Sequence, residues 1–437
     1  GLFYTAGVPT GARSLHVHFA GNDGLAVAFT SSGALLVTVG YERAGAWTWG
    51  EAATVQFASN QDFLVSLAAC HRESFIVGFR SESRPSLRGF LLGPIGLAPA
   101  AGCIETINTA PVTELELVSA SSSGLWLMYT TDDGIWVRYV YSSSAVEVQV
   151  SATASLISGS RHVAGVALLG EPSLLALAYE SGSSQPLAYA RLLRLNGPED
   201  VAAGGFSLGE ASLLHRGPLL FPSMIALSDR RIAISFGDGS SQSCAIRLAR
   251  VGGWDGTDLS SDYLDIGESF EFPGFGPSGL QSFDPSGPLF LSASTISRWV
   301  HLWGRHLASG TDLTLTTAVG ETAPDMQQLR ADEVTVLLSS TGDPGAVSKV
   351  VLKWPCLLPQ DTTGYILSAC DAALTPMLEE DCLVSCDVGF VLEGLRPQVR
   401  CFPPPAAPIF QFSGCKALPC TAPRGIHNAM SPSCLDG

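Results

Sequence analysis

The 437-residue chain is 46% hydrophobic with a mean hydropathy of +0.27, so it can bury two or more cores, and disorder is excluded over most of its length. Its 24 basic and 40 acidic residues leave a net charge of -16, scattered along the chain, which disfavours nucleic acid and anionic membrane as partners. Apolar runs such as Val163 to Gly170 have the length of a strand, well short of the roughly 18 residues that cross a bilayer, so no membrane insertion is expected of this segment.

The chain opens at Gly1 with neither Met nor a basic-then-apolar leader, which reads as a processed end or a start inside a longer precursor. Its first segment, LFYTAG at Leu2 to Gly7, looks like a strand without a repeat unit of its own. A supersecondary unit then recurs seven times: a short apolar strand, a polar turn, a nearly all-apolar second strand, a Ser/Gly/Asp turn and a third strand. The first three copies read LHVHFAGNDGLAVAFTSSGALLVTVGY, LVSLAACHRESFIVGFRSESRPSLRGFLL and LELVSASSSGLWLMYTTDDGIWVRYVY. Taking the end of each second strand as a register mark gives Phe29, Phe79, Tyr129, Tyr179, Phe236, Ala293 and Leu338, with spacings of 50, 50, 50, 57, 57 and 45 residues.

Second strands are apolar on consecutive residues, as in Leu25 to Phe29 and Leu174 to Tyr179, which requires burial on both faces. Third strands alternate, as Ile246, Leu248 and Val251 do among Arg247 and Arg250, which suits a strand nearer a rim. Fourth strands are readable at Thr54 to Ala58, Cys103 to Ile107, Val146 to Val150, Ser269 to Phe272 and Leu313 to Thr317. The seventh unit has none, because Trp354 runs directly into Pro355. The economical solution is closure of a ring, with Leu2, Phe3, Tyr4 and Thr5 supplying the missing strand and removing the open sheet edge. The expected fold is therefore all-β: a seven-bladed β-propeller over residues 1–354, closed by its N-terminal strand and followed by a small disulfide-rich C-terminal module.

Within this architecture no blade carries the Trp-Asp and Gly-His pairs of WD40 repeats or the double glycine of kelch repeats. Thr130 to Trp136 is the nearest approach to a sialidase Asp-box, but its Trp falls one residue early and no second copy follows. Asp132-Asp133-Gly134 is simply a good hairpin turn. His16 and His18 alternate on one strand and His301 and His306 flank Trp303, yet none has a second ligand at metal spacing. No phosphate loop, dinucleotide fingerprint or Gly-x-Ser-x-Gly is present. No catalytic residue, metal or cofactor is assigned.

Eight of the eleven cysteines follow residue 355: Cys356, Cys370, Cys382, Cys386, Cys401, Cys415, Cys420 and Cys434. The stretches PCLLPQDTTGYILSAC and PCTAPRGIHNAMSPSC share a Pro-Cys opening and their cysteine gap. A six-cysteine module thus occupies residues 355–419, and a second begins at 420–437, inside what reads as a tandem array. Zinc would want paired Cys knuckles, often with His, whereas Cys382 and Cys386 form one such pair, Cys415 and Cys420 lie astride a module boundary and His427 is the one histidine nearby, so disulfides and an oxidising compartment are expected. The stretch CDVGFVLEGLRPQVRC, with Gly414-Cys415 after it, resembles the second half of a sushi (complement control) module. That resemblance implies pairing of Cys386 with Cys415 and of Cys356 with Cys401. Cys370 and Cys382 are extra to the family pattern, their mutual pairing being one candidate, and the connectivity stays open. Cys420 and Cys434 would find partners beyond Gly437. Cys70 and Cys103 are candidates for a bridge within the second unit, and Cys244 reads as a buried thiol.

A closed disc with loops on both faces suits binding, and stapled modules suit a stalk. By analogy with large extracellular repeat proteins, the expected role is a non-enzymatic subunit of an extracellular filament, coat or surface appendage. Its partners would be proteins, including copies of itself. The alternative is an adhesion or receptor ectodomain that binds a glycan or protein on one disc face. A third reading, a glycosidase-type propeller, requires carboxylates clustered at the channel mouth. N-linked glycans are not available, since none of the Asn residues lies in a sequon, whereas Ser-rich turns such as Ser121 to Ser123 leave O-glycans open.

Overall fold

The computed structural model describes residues 3–418 apart from connecting stretches, the longest being 58–64, 197–204, 253–261, 318–325, 371–381 and 402–408. Side chains are described for most residues of the spans 26–272 and 358–418. Every described regular element is a β-strand. The chain divides into two compact units, Gly1–Val351 and Leu352–Gly437.

The first unit is a ring of seven antiparallel sheets. Their innermost strands are Arg13–Phe19, Val65–His71, Glu114–Ser119, Ser160–Leu168, Leu219–Ala226, Pro277–Ser282 and Met326–Gln328. Each lies against the next and the last against the first, so the ring is closed. The N-terminal strand takes part in closure: Phe3–Gly7 pairs antiparallel with Ala346–Val351, setting Phe3 opposite Val350 and Gly7 opposite Ala346. The N-terminal strand is therefore the outer strand of blade seven, as the missing fourth strand of that unit required. Leu2 lies outside the described residues, and the pairing runs two residues further than Thr5.

Burial explains why the second strands could be recognised. Gly124–Thr131 in blade three is buried at every position, and Ile232 to Gly237 in blade five is buried without a break. One face of such a strand packs on the preceding blade and the other on the following one. The core is accordingly a set of wedges between blades. Ala28, Leu35 and Val37 of blade one pack with Phe75, Val77 and Phe90 of blade two. Trp126, Met128 and Tyr139 of blade three pack with Leu175, Leu177 and Tyr179 of blade four. Each fully buried side chain of this size contributes about 1.5–3 kcal/mol.

The outer strands depart from expectation. In blades one to four the fourth strand is broken into two short pieces, both paired to the third strand. In blade one these are Ala46–Trp49 and Ala53–Phe57, in blade two Gly96–Pro99 and Glu105–Thr106. Blade three has Glu147–Val150 and Ser155–Ser158, and blade four has Phe206–Leu208 and Ser212–His215. The segments read as Thr54–Ala58 and Cys103–Ile107 coincide with second pieces only, and Val146–Val150 with a first piece. Blade five has one long outer strand, Tyr263–Pro273, which shifts register opposite Arg247 and Ala249.

A side chain at one register position of the third strand fills each described break. Thr38, Arg138, Arg191 and Arg247 stand opposite Val27, Leu127, Leu177 and Ile234, two residues before the register mark of each blade. The Thr38 hydroxyl donates to the Gly50 carbonyl at 2.9 Å, and Arg138 Nη1 to that of Ser151 at 2.6 Å. Arg191 Nε donates to the Gly209 carbonyl at 2.5 Å and Arg247 Nη1 to that of Gly267 at 3.4 Å. Where the ladder loses a backbone donor, a side chain replaces it, as buried carbonyls require. Arg88, at the same position in blade two, reaches back to the Thr54 and Val55 carbonyls of blade one at 3.0 and 2.6 Å.

The second unit has three two-stranded sheets: Tyr365–Leu367 with Val384–Cys386, Phe390–Leu392 with Cys415–Ala417, and Gln398–Cys401 with Phe410–Ser413. Disulfides join Cys370 to Cys382 and Cys386 to Cys415. The small core consists of Cys370, Cys382 and Phe410, against which Leu358, Val384, Val399 and Phe412 pack. With so little apolar interior, cross-links carry much of this unit's stability.

Candidate functional site

The innermost strands of blades three, four and five together form a cleft of about 230 Å³, lined by Glu114, Leu115, Glu116, His162, Val163, Leu220, Phe221 and Pro222. Two of these residues have unusual backbones. His162 has φ 53° and Phe221 has φ 48°. Each sits at a break in strand register, between Arg161 and Ala164 in blade four and between Leu220 and Ser223 in blade five. An extra residue in a strand re-aims the side chain beside it. A bulky residue at positive φ costs about 1–3 kcal/mol and persists where the surroundings demand it, a condition concentrated at functional sites.

Glu114 is the centre of the polar half. Its Oε1 lies 2.6 Å from His162 Nδ1, while its Oε2 accepts from the Thr130 hydroxyl at 3.0 Å and from the Val163 amide at 3.4 Å. Burial is the largest single influence on its carboxyl and pushes its pKa up. The His162 hydrogen bond and charge, with Thr130 and Val163, outweigh that and hold it below the usual carboxylate value. His162 is raised above an ordinary histidine, first by the Glu114 hydrogen bond; burial opposes this, the charges of Glu114 and Glu180 add to it and Arg161 subtracts. The pair is about one third exposed at each side chain. Glu116 lies two residues along the same strand and lines the same cleft. The apolar half is Leu220, Phe221 and Pro222, with Phe221 53% exposed.

A second carboxylate is spent on structure. Glu180, 1% exposed, accepts from Arg161 Nε at 2.7 Å through one oxygen and from the Leu219 amide at 2.8 Å through the other. It ties blade four to blade five. Between blades two and three, Ser66 Oγ accepts from the Leu117 amide at 2.9 Å.

Sequence reasoning did not single out Glu114, His162 or Phe221. The one available signal was a polar or bulky residue breaking the alternation at the start of an innermost strand. The residues it did weigh fall elsewhere. His16, His18, His301 and His306 lie on innermost or third strands whose side chains are outside the described residues. The Asp-box-like segment is a hairpin turn: the Thr131 hydroxyl accepts from the Asp133 amide at 3.3 Å and from Trp136 Nε1 at 3.1 Å, with Gly134 at φ 135°. Cys70 lies on strand Val65–His71 and Cys401 on strand Gln398–Cys401, both with side chains outside the described residues. Cys103, Cys356, Cys420 and Cys434 are also outside them. Cys244 is a buried thiol whose ionisation burial pushes up to about 12. Among the described residues no group of three or more His, Cys, Asp or Glu could hold a metal ion. Nor, among them, is any helix long and apolar enough to cross a membrane.

The fold and its cleft define a closed seven-bladed β-propeller joined to a small disulfide-bonded unit. No protein-family profile matches the chain, and no curated protein sequence matches it. Solved structures match in fold. A functionally unknown protein from Desulfotomaculum acetoxidans DSM 771 is 10% identical, covers 72% of this chain and 88% of its own, and gives a TM-score of 0.50. A protein from Lactobacillus plantarum is 12% identical over 70% of this chain and 84% of its own, with a TM-score of 0.49. The WD40 domain of coronin from Toxoplasma gondii is 12% identical over 79% of this chain and 85% of its own, with a TM-score of 0.48.

Proposed function

We propose that the chain is a non-enzymatic interaction protein of the extracellular space, a subunit of a filament, coat or surface appendage. In this reading the propeller is a protein-binding disc and the disulfide unit part of a stalk of sushi-like repeats. The observation that carries it is the surface of the second unit. Although only a small part of the chain, that unit supplies seven of the eleven exposed large hydrophobic side chains found among the described residues, including Leu383 at 63%, Val388 at 93% and Leu418 at 50% exposure. A stapled module with few buried apolar residues and this much apolar surface is built to pack against another protein surface. Two disulfides support an oxidising compartment.

The cleft favours a second reading, an adhesion or receptor ectodomain that binds its partner on the channel side of blades three to five. Size-exclusion chromatography with light scattering, followed by electron microscopy of native material, separates the two. Ordered polymers containing the chain support the filament subunit, whereas a monodisperse monomer at all concentrations rejects it.

A further inference from the structure

We propose that the apolar face formed by Val388, Val391 and Leu418 in the second unit is the seat of the repeat that begins at Pro419, with Met430 as the side chain that settles on it. The inference deepens the reading of that unit as part of a stalk and rests on it.

Backbone pairing fixes the face. Val391 stands opposite Lys416, and the Leu418 amide donates to the Gly389 carbonyl at 2.7 Å, which adds a further pair two residues along both strands. Side chains two residues apart on a strand share a face, so Val391 and Leu418 emerge together. Val388 stands beside them in the turn 387–390, which the Phe390 amide closes onto the Asp387 carbonyl at 3.0 Å and Gly389 permits with φ 91°. Lys416 shares the face, but its ammonium is drawn to Glu393 at 3.4 Å, away from Leu418. Val388 is 93% exposed, Leu418 50% and Val391 42%.

The amino-acid sequence names the occupant. Pro419, Pro423 and Cys434 each follow Pro355, Pro359 and Cys370 by 64 residues, so the chain leaving Leu418 starts the same unit again. In the first copy Gly364 turns the chain at φ 89° into strand Tyr365–Leu367. Its counterpart is Asn428, a residue type that tolerates left-handed backbone. Within that strand Tyr365 meets Phe412 and Leu367 packs on the small core, whereas Ile366 faces outward at 45% exposure. Met430 holds the position of Ile366 and is the one large apolar side chain among residues 429–431. The outward apolar position is thus what the second copy keeps, and stacked repeats bury such residues against their neighbours.

Magnitude decides between this occupant and a separate protein. Three side chains fall far short of the roughly 800 Å² per partner that a stable interface between free proteins buries. A segment tethered at Leu418 needs no such area, because a short link holds it at about millimolar effective concentration. Met430 follows Leu418 by twelve residues, ample chain to turn back onto the face.

The test uses the full chain, disulfides intact, with isotopically labelled methionine methyl groups followed by NMR. The expected result is nuclear Overhauser contact between the Met430 methyl and the methyls of Val388 and Leu418. Val388→Asp should remove those contacts and move the Met430 signal to that of a free methionine, while the propeller signals of Met128 and Met224 stay in place. Because Val388 is exposed, this change spares the core of the module. Met430→Gln should speed hydrogen exchange of the Leu418 amide several-fold by uncovering it. A Met430 signal already at the free value, contacts to other residues only, or a signal that Val388→Asp and Leu418→Asp both leave unmoved overturns the proposal. Contacts seen only between differently labelled chains give the face to a second copy and overturn it too. Electron microscopy of the same samples reads the filament separately: polymers formed while Met430 is free leave that reading standing and reject the seat, and a seated Met430 in a lone monomer does the reverse.

Discussion

His162 Nδ1 stands 2.6 Å from Glu114 Oε1, which joins the innermost strands of blades three and four through residues 48 positions apart. The pair makes stability depend on pH in a definite way. His162 titrates above its ordinary value of 6.5, so its contribution is complete below that pH and lost as pH rises through the raised value. Glu114 titrates below its ordinary value of 4.5, so its contribution is complete above that pH and lost as pH falls through the lowered value. Urea denaturation of the wild type and of His162→Gln should therefore differ most between pH 4.5 and pH 6.5. Partial exposure limits the difference to about 1 kcal/mol. A difference that stays flat from acid to alkaline pH would show that the pair contributes nothing.

Arg138 tests the side chains that fill breaks in the outer strands. Arg138→Met removes the donor to the Ser151 carbonyl and should cost about 1.5–3 kcal/mol, the range for a charged hydrogen bond to a part-buried group. Arg138→Lys should recover only part of that loss, because the Nε contact with the Tyr129 hydroxyl at 3.3 Å needs the planar fork. Chemical denaturation gives both numbers. If Arg138→Met is as stable as wild type, the outer strand holds without its filler.

Removing residues 1–7 strips the outer strand from blade seven and leaves Ala346–Val351 as an open edge. The expected outcome is concentration-dependent association in sedimentation, together with a lower unfolding midpoint, because an unpaired edge templates pairing with other chains. A truncated chain that remains monomeric and equally stable would mean that closure is dispensable.

Replacing Cys386 and Cys415 together by Ser should destabilise the second unit by about 3 kcal/mol, as expected for removing a native cross-link from a small domain. The propeller transition is expected to stay in place, since Cys386 and Cys415 both lie in the second unit. Peptide mapping under non-reducing conditions should recover Cys370 joined to Cys382 and Cys386 joined to Cys415; any other partner for these four overturns the assignment.

Cys244, buried and with its ionisation pushed up to about 12, should resist alkylation at pH 8 until the propeller unfolds. Its labelling rate then reports unfolding of blade five. Rapid labelling in native buffer would contradict that burial.

The fold was legible wherever burial imposed a pattern. Leu125 to Tyr129 is apolar at consecutive positions because both faces touch neighbouring blades, and that signal counts blades without any family motif. The broken outer strands were harder to read. Pieces such as Phe206–Leu208 and Ser155–Ser158 are too short to show a period, and the arginines that complete them, Arg191 and Arg138, are indistinguishable in sequence from surface arginines. The cleft was not legible at all. Glu114, His162 and Phe221 come from three blades, and only the curvature of the ring brings them together. Their shared oddity is conformational, a left-handed backbone at His162 and Phe221, which neither residue type announces.

The clasp between Phe3–Gly7 and Ala346–Val351 also decides how the disc meets mechanical load. Because Phe3 is opposite Val350, the chain arrives and departs at the same end of one antiparallel pair. Tension between the two ends pulls on that pair as on a zipper, one hydrogen bond after another, instead of shearing the whole ladder at once. Under traction the ring should open at this seam first, while the six other blades stay folded.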